Sequence, residues 1–283
     1  MGSRIDYSQI NTFQTCRRKF ENKYILALRK IKYDFRNIDL EFGKTIHTCL
    51  GRYYKGMAWQ QIIKPIEEFQ DLETEKCKTK AHLLKLMEQY IPYYSGQDKG
   101  WQILGAEIND TFMIQDMEYI VKVDLIIKDK DNIYVVDHKT TKTNRKSTYF
   151  QQFEPNTQVT GYTAYIQQKY GQCSGFIPNV MFVGYRERKY KGEEAGFHCE
   201  FERAIINRYP QQLEDFKINV VDVAQQIEGC KITGYWSKTE GNCLYCEFKE
   251  LCISCDDQQI LETLYETYDP MEYLETKEGI DVL

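Results

Sequence analysis

The sequence predicts an α/β or α+β protein whose central mixed sheet is flanked by helices. Three observations carry this expectation. The first third has apolar residues at helical spacing, residues from about 102 to 140 alternate in β-branched fashion, and helix and strand signals then resume. A chain of 283 residues that is 42% apolar can bury one large core with appendages.

The elements follow in order. Ser8 is a candidate N-cap for a first helix in which Ile10, Phe13, Phe20 and Tyr24 share a face. Further helices are expected over 43–54, 59–69 and 73–93, where apolar residues recur periodically with few breakers. Residues 102–114, 118–128 and 132–140 read as strands, and Asp116 and the run Asp129-Lys-Asp-Asn132 supply the turns of an antiparallel meander. A helix over 155–170 should stop at Gly171. Strands over 179–185 and 196–201 and a long helix over 204–227 complete the body. The expected division is a helical part (1–100), an α/β core (101–229), a cysteine segment (230–255) and an acidic tail (256–283).

Net charge of -5 seems to disfavour nucleic acid, but the charge is unevenly spread. From Asp256 onward nine acidic residues stand against one Lys, so the rest of the chain is mildly basic at +3. Arg17-Arg18-Lys19, Lys139 and Lys142 with Arg145-Lys146, and Arg186, Arg188 and Lys189 with Lys191 are clusters able to meet phosphates. Taken singly, each is as well read as solvated surface. No window approaches the roughly 18 apolar residues of a membrane span, and the start MGSRIDYSQ has no signal-peptide segment, so a cytoplasmic location without membrane partners is expected. No G-x4-GK-[ST] loop is present, which assigns any ATPase activity to a partner.

Ten cysteines without an export signal argue for free thiols or metal-holding thiolates. Four crowd together as Cys243-x2-Cys246-x5-Cys252-x2-Cys255, while Cys49, Cys77, Cys173 and Cys199 read as small buried residues.

The chemistry concentrates in the meander. On the strand Ile133-Tyr-Val-Val-Asp-His-Lys139, Asp137 and Lys139 point the same way. The preceding strand, antiparallel to it, ends on Asp124, so two carboxylates and an ammonium meet. Carboxylates gathered in a sheet repel, and a hard cation such as Mg2+ or Mn2+ relieves that cost. A neighbouring lysine can orient water and stabilise charge growing on a phosphate. Asp-x-Lys alone is more often a surface ion pair. Here Ile133, Val135 and Val136 lead straight to the charges, which suits a core strand that ends at a site.

With these residues the chain resembles the PD-(D/E)XK nucleases, in particular the RecB-like group that includes recombination-helicase nuclease domains and CRISPR-associated single-strand exonucleases. Gly43-Lys-Thr-Ile-His47 looks like the family's histidine-bearing helix, Val121-Lys-Val-Asp124 like its first metal-binding aspartate, Val136-Asp-His-Lys-Thr140 like its Asp-x-Lys core, and Gln158-Val-Thr-Gly-Tyr162 like its Gln/Tyr helix motif. The resemblance covers about residues 8–255 and implies a restriction-endonuclease-like core. It further implies that His47, Asp124, Asp137 and the backbone carbonyl of His138 bind the metal, and that Lys139 positions the attacking water. Gln158 and Tyr162, one turn apart, fit contact with the site or with DNA, although Tyr162 and Tyr165 are equally suited to packing. Glu107, on the strand before Asp124, is a candidate for supporting the metal or for an ordinary surface role. A histidine ligand favours Mn2+ over Mg2+.

The iron-sulfur subset of the family joins one N-terminal cysteine to a C-terminal C-x2-C-x5-C. Cys16 with Cys243, Cys246 and Cys252 fits that pattern and implies a 4Fe-4S cluster, with Zn2+ as the competing metal. The implied activity is hydrolysis of DNA from single-stranded ends. Its rivals are a non-catalytic DNA-binding or assembly subunit of a recombination, phage or CRISPR-adaptation complex, disfavoured by the complete Asp124, Asp137, Lys139 set, and a redox iron-sulfur protein, which leaves the sheet motif unexplained.

Overall fold

The computed structural model describes residues 4–31, 37–73, 76–142, 146–189 and 195–270; Arg145, Lys191 and residues 271–283 of the acidic stretch lie outside the described residues. The chain opens with β1 (Arg4–Asp6), α1 (Tyr7–Thr15), α2 (Arg17–Phe20), a π-helical turn (Glu21–Ile25) and β2 (Leu28–Lys30). Three helices follow, α3 (Ile38–Tyr54), α4 (Trp59–Glu68) and α5 (Lys80–Ser95), then β3 (Trp101–Ile114), β4 (Met117–Asp129) and β5 (Asn132–Thr141). The second half comprises α6 (Lys146–Gln151), α7 (Thr157–Tyr170), β6 (Gly175–Arg186), β7 (Gly196–Arg203), α8 (Pro210–Thr233), α9 (Lys249–Ile253), α10 (Gln258–Leu264) and β8 (Tyr265–Thr267). Asp6, not Ser8, caps α1. Its carboxylate accepts from the Gln9 amide at 2.7 Å while the Gln9 side chain accepts from the Asp6 amide at 3.0 Å, a reciprocal pair that Ser8 has no partner to form.

The chain divides into two compact units. One draws on the described parts of Met1–Phe35, Asn109–Val121 and Gln211–Lys277. There β1 runs parallel to the start of β4, Phe20 stacks on Trp236 at 5.8 Å, and Tyr119 meets Phe216 of α8 edge-on at 5.3 Å. A small antiparallel pair, β2 with β8, covers Leu28, Phe248, Leu251 and Tyr265. Residues 258–267, read from their charge as tail, are thus part of this unit, because Tyr265 finds a buried place stacked on Phe248.

The other unit, from Arg36–Ile108 and Lys122–Pro210, positions the site. Its strands run in the order β4-β5-β6-β7 and the sheet is mixed: β4/β5 antiparallel, β5/β6 parallel, β6/β7 antiparallel. Leu125, Ile127, Val136, Ile177, Met181 and Val183 face one way into a core with α3, α4 and α5. Burying each such side chain is worth about 1.5–3 kcal/mol, and truncating one, as in Leu125→Ala, costs about 2–5 kcal/mol. The opposite face carries Phe176 and Phe182, which meet Tyr162 of α7 and Tyr149 of α6. The α7 helix stops as its sequence requires: Gly171 adopts φ 77° and donates to the Gln167 carbonyl at 3.0 Å. Among the described residues no helix is long and apolar enough to cross a membrane.

Candidate active site

Strand period decides which groups can meet. The β4/β5 register sets Leu125 against Val136, and one residue further Asp124 lies beside Asp137. Because Val136 faces the α3–α5 core, Asp137 and Lys139 take the opposite face and His138 the core face. Lys139 Nζ lies 2.5 Å from Asp137 Oδ2. Asp124 Oδ2 accepts from the His138 backbone amide at 2.7 Å and lies 3.2 Å from Nδ1 of His47 on α3. Glu107 arrives from β3 with φ 54°, a left-handed backbone unusual for a non-glycine residue, and one of its carboxylate oxygens is buried with no hydrogen-bond partner among the described residues. Gly51, one turn after His47 on α3, makes room for it: a Cβ there would stand 2.6 Å from Glu107 Cγ.

These placements bring His47, Glu107 and Asp124 together, with one ligand atom of each within 4.8 Å of the others. One nitrogen and two carboxylates, one carrying an unspent buried oxygen, fit a hard divalent cation that tolerates imidazole. Asp137 is turned toward Lys139. Gln158 and Tyr162 join each other at 2.9 Å, and Tyr162 stacks on Phe176, the register neighbour of Val135. Both therefore lie on the face that carries Asp137 and Lys139.

Electrostatics follow from the crowding. Burial opposes charge on Asp124, but His47 outweighs it and holds the carboxyl well below the usual range. Burial works against the His47 cation, yet Asp124 lifts its imidazole to about 9. Asp137 is pushed up by burial, against the pull of Lys139 and with help from Asp124. Glu107 rises to about 7, by burial first and then by repulsion from Asp124. Lys139 is raised because Asp137 and Asp124 overcome its burial.

Beneath the site lies a network that sequence reasoning misses. Arg203 donates to Asn179 Oδ1 at 3.0 Å, to Asp98 at 2.6 Å and 3.1 Å, and to the hydroxyls of Tyr54 and Tyr90 at 2.9 Å and 3.0 Å. A guanidinium only donates, so the Asn179 oxygen accepts and its nitrogen donates, to Tyr90 at 2.6 Å and to His138 Nδ1 at 2.7 Å. Neutral His138 therefore carries its proton on Nε2. Burial keeps it neutral, with its pKa lowered to about 3, and Tyr54 stacks on the ring at 5.8 Å. The one sequence signal is Asn179 inside the apolar run from Phe176 to Val183.

The thiols of Cys16, Cys243, Cys246 and Cys252 are not among the metal-ligand groups that the described residues form. Cys16 sits at the break between α1 and α2, with Arg18 two residues on, whose backbone amide donates to the Ser237 carbonyl at 3.0 Å and whose guanidinium pairs with Asp256. The Cys252 thiol is raised by burial, lowered by Lys238 and raised again by the adjacent Cys246.

The sequence profile of the PD-(D/E)XK nuclease superfamily matches residues 4–253. The chain belongs to this superfamily. PD-(D/E)XK nucleases use divalent metals, in keeping with the donor set around Asp124. Among solved structures, the chain is similar to a candidate exonuclease from Eubacterium rectale, with 14% identity, 85% of this chain and 86% of that one covered, and a TM-score of 0.50. It also matches the protein SSO0001 (10% identity, 90% and 87% covered, TM-score 0.36) and LHK-Exo in complex with dAMP (13% identity, 69% and 97% covered, TM-score 0.26). No curated protein sequence matches the chain. The superfamily fold accounts for the mixed sheet with flanking helices.

Proposed function

We propose that this protein is a metal-dependent deoxyribonuclease of the RecB-like group, an exonuclease that prefers single-stranded ends. The observation that supports it most is the convergence of His47, Glu107 and Asp124 beside the Asp137–Lys139 pair. His47, Asp124, Asp137 and the carbonyl of His138 are the proposed ligands, and Glu107 joins them through its unpaired oxygen. A bound Mg2+ or Mn2+ would act as a Lewis acid toward a phosphate oxygen and a water. Lys139, held by Asp137, donates toward the charge that grows on the phosphate. Gln158 and Tyr162, on the same face, orient the strand. Arg203 and Asn179 keep His138, and with it the strand between Asp137 and Lys139, from shifting.

Cys16, Cys243, Cys246 and Cys252 are proposed to hold a 4Fe-4S cluster whose role is to join the two ends of the chain. The deciding experiment incubates end-labelled single- and double-stranded DNA with the protein and Mg2+, Mn2+ or EDTA. Products shortened from an end, faster on single strands and abolished by EDTA, are expected. Intact DNA under every metal condition would remove the enzymatic reading in favour of a binding subunit.

A further inference from the structure

The surface that carries Asp137 and Lys139 does not end with them. In the β5/β6 register Lys139 lies beside Val180 and Thr141 beside Phe182, and across β6/β7 Phe182 and Gly184 lie opposite Glu200 and His198. Side chains two apart on a strand share a face. One face therefore runs from the Asp137–Lys139 pair across Phe182 and Gly184 to Glu200 and His198.

A cavity of 640 Å³ opens on it, with Lys142, Lys146, Phe182, Arg186, His198 and Glu200 among its walls. Its volume falls within the roughly 300–1,000 Å³ of sites that enclose a small ligand. Two features show a built wall. A Cβ at Gly184 would come within 2.5 Å of the His198 ring, so the glycine lets that imidazole lie across the strand. His198 Nδ1 is buried and meets no hydrogen-bond partner among the described residues.

The charge on the walls is mainly positive. Lys142, Lys146 and Arg186 stand against the carboxylate of Glu200. Lys146 is engaged by Glu200 and by Glu202 at 2.6 Å and stands over the Phe182 ring at 5.2 Å, which anchors the floor. Lys142 reaches Asp39 at 3.4 Å with both side chains well exposed, a weak pairing that a phosphate can replace. The separation suits a strand longer than a dinucleotide. From Val180, beside Lys139, Gly184 and Arg186 lie four and six residues along β6, about 13–20 Å at about 3.3 Å per residue, which is several steps of a nucleic-acid strand.

We propose that this cavity is a subsite for the sugar-phosphate backbone of the DNA strand, several nucleotides from the bond that is cut, with Lys142, Arg186 and His198 as donors. The inference rests on the deoxyribonuclease reading. It places the strand over β6 and β7 and gives sequence-independent affinity, since phosphates carry no base identity.

The test compares steady-state cleavage of a long oligodeoxythymidylate with that of a dinucleotide, which is too short to span both places. For Arg186→Ala with His198→Ala, the KM on the long strand should rise about tenfold while kcat stays within about twofold, and the dependence of log KM on log salt should flatten by about 0.7 for each phosphate no longer neutralised by the protein. The dinucleotide KM should not move. Lys142→Gln, an exposed change that leaves the core alone, should produce a smaller shift of the same kind and guards against misfolding of the double variant. Unaltered KM and salt dependence on the long strand, or an equal rise for the dinucleotide, would overturn the subsite while leaving the nuclease intact. Absence of cleavage by the unmodified protein would overturn the nuclease reading itself.

Discussion

Glu107 holds a left-handed backbone at φ 54°, which costs a non-glycine residue on the order of 1 kcal/mol, and one of its carboxylate oxygens is buried beside Gly51 with no hydrogen-bond partner among the described residues. Such an arrangement is unfavourable unless a cation joins it, which makes the metal-free protein sensitive to pH. With its pKa lifted from 4.5 to about 7, Glu107 contributes stability while protonated and loses it as pH rises through about 7. The His47 imidazolium, lifted from 6.5 to about 9, likewise supports the fold below its ordinary range and is lost as pH rises through about 9. Both signs agree. In EDTA the unfolding midpoint should therefore fall from about pH 4.5 to about pH 9, first with Glu107 and then with His47, and Mn2+ should restore it at the alkaline end. Metal binding must expel both protons, so its calorimetric enthalpy should vary with the ionisation enthalpy of the buffer, and His47→Ala should release about one proton fewer. A midpoint that is flat with pH in EDTA would show that these groups are not stressed as described. Asp124→Ala, Asp137→Ala and Lys139→Ala should each lower cleavage at least about 100-fold with the fold retained by circular dichroism; near-normal cleavage by Asp137→Ala would refute the site.

At the scale of elements, α3 meets the metal-ligand group twice, through His47 and, one turn on, through Gly51 against Glu107. Alanine in place of a helical glycine ordinarily stabilises by about 1 kcal/mol. At Gly51 the added methyl would meet Glu107 Cγ at 2.6 Å, so Gly51→Ala should gain no stability and should weaken Mn2+ binding, as read by calorimetry. Strands β6 and β7 act on β5 through Asn179 and Arg203. Asn179→Asp would accept from Arg203 and from His138 alike, moving the ring proton from Nε2 to Nδ1, and 15N chemical shifts of His138 would record the change together with a lower kcat. An unmoved shift would show that Asn179 does not set the tautomer. Part of this arrangement is legible in the sequence. Period-two alternation locates β3, β4 and β5 to within a residue at each end, and the Asp-x-Lys spacing places Asp137 and Lys139 on one face. It sets β6 four residues late, because Gly175-Phe-Ile-Pro178 is an apolar run with no alternation and contains a proline. Helix α8 begins at Pro210, six residues after the expected start, since proline suits a first turn and residues 204–209 have no periodicity. The three-residue strands β1, β2 and β8 are too short to show any period. The Arg203 network is hidden because its members, Tyr54, Tyr90, Asp98, His138, Asn179 and Arg203, come from six separate stretches of the chain, and only folding gathers them.

At the scale of the whole chain, the first 30 residues have to be bound to the last described ones. Contacts independent of any metal already do part of this. The β2/β8 pair, the stack of Phe20 on Trp236 and the bonds of Arg18 to Ser237 and Asp256 hold the N-terminal helices to the cysteine segment. They also hold Arg18, two residues after Cys16, close enough to Cys252 to bias its thiol. A purely local set with Cys255 would leave Cys16 without purpose there. Cys255 itself has φ 54° and is exposed, followed by Asp256 at φ 63°, a turn that ends the segment and directs Asp256 to Arg18. Closing a loop of more than 200 residues by a cluster adds the most where the unfolded chain has the most freedom to lose. Protein purified without oxygen should therefore be brown, with a broad absorbance in the violet. Cys16→Ala should lose iron and lower the unfolding midpoint, while its β2/β8 pairing keeps it folded at low temperature. Cys255→Ala should keep both iron and midpoint. Stoichiometric zinc without iron in the anaerobic protein, or full iron retention in Cys16→Ala, would transfer the site to the local set, and the two chain ends would then be held by packing and ion pairs alone.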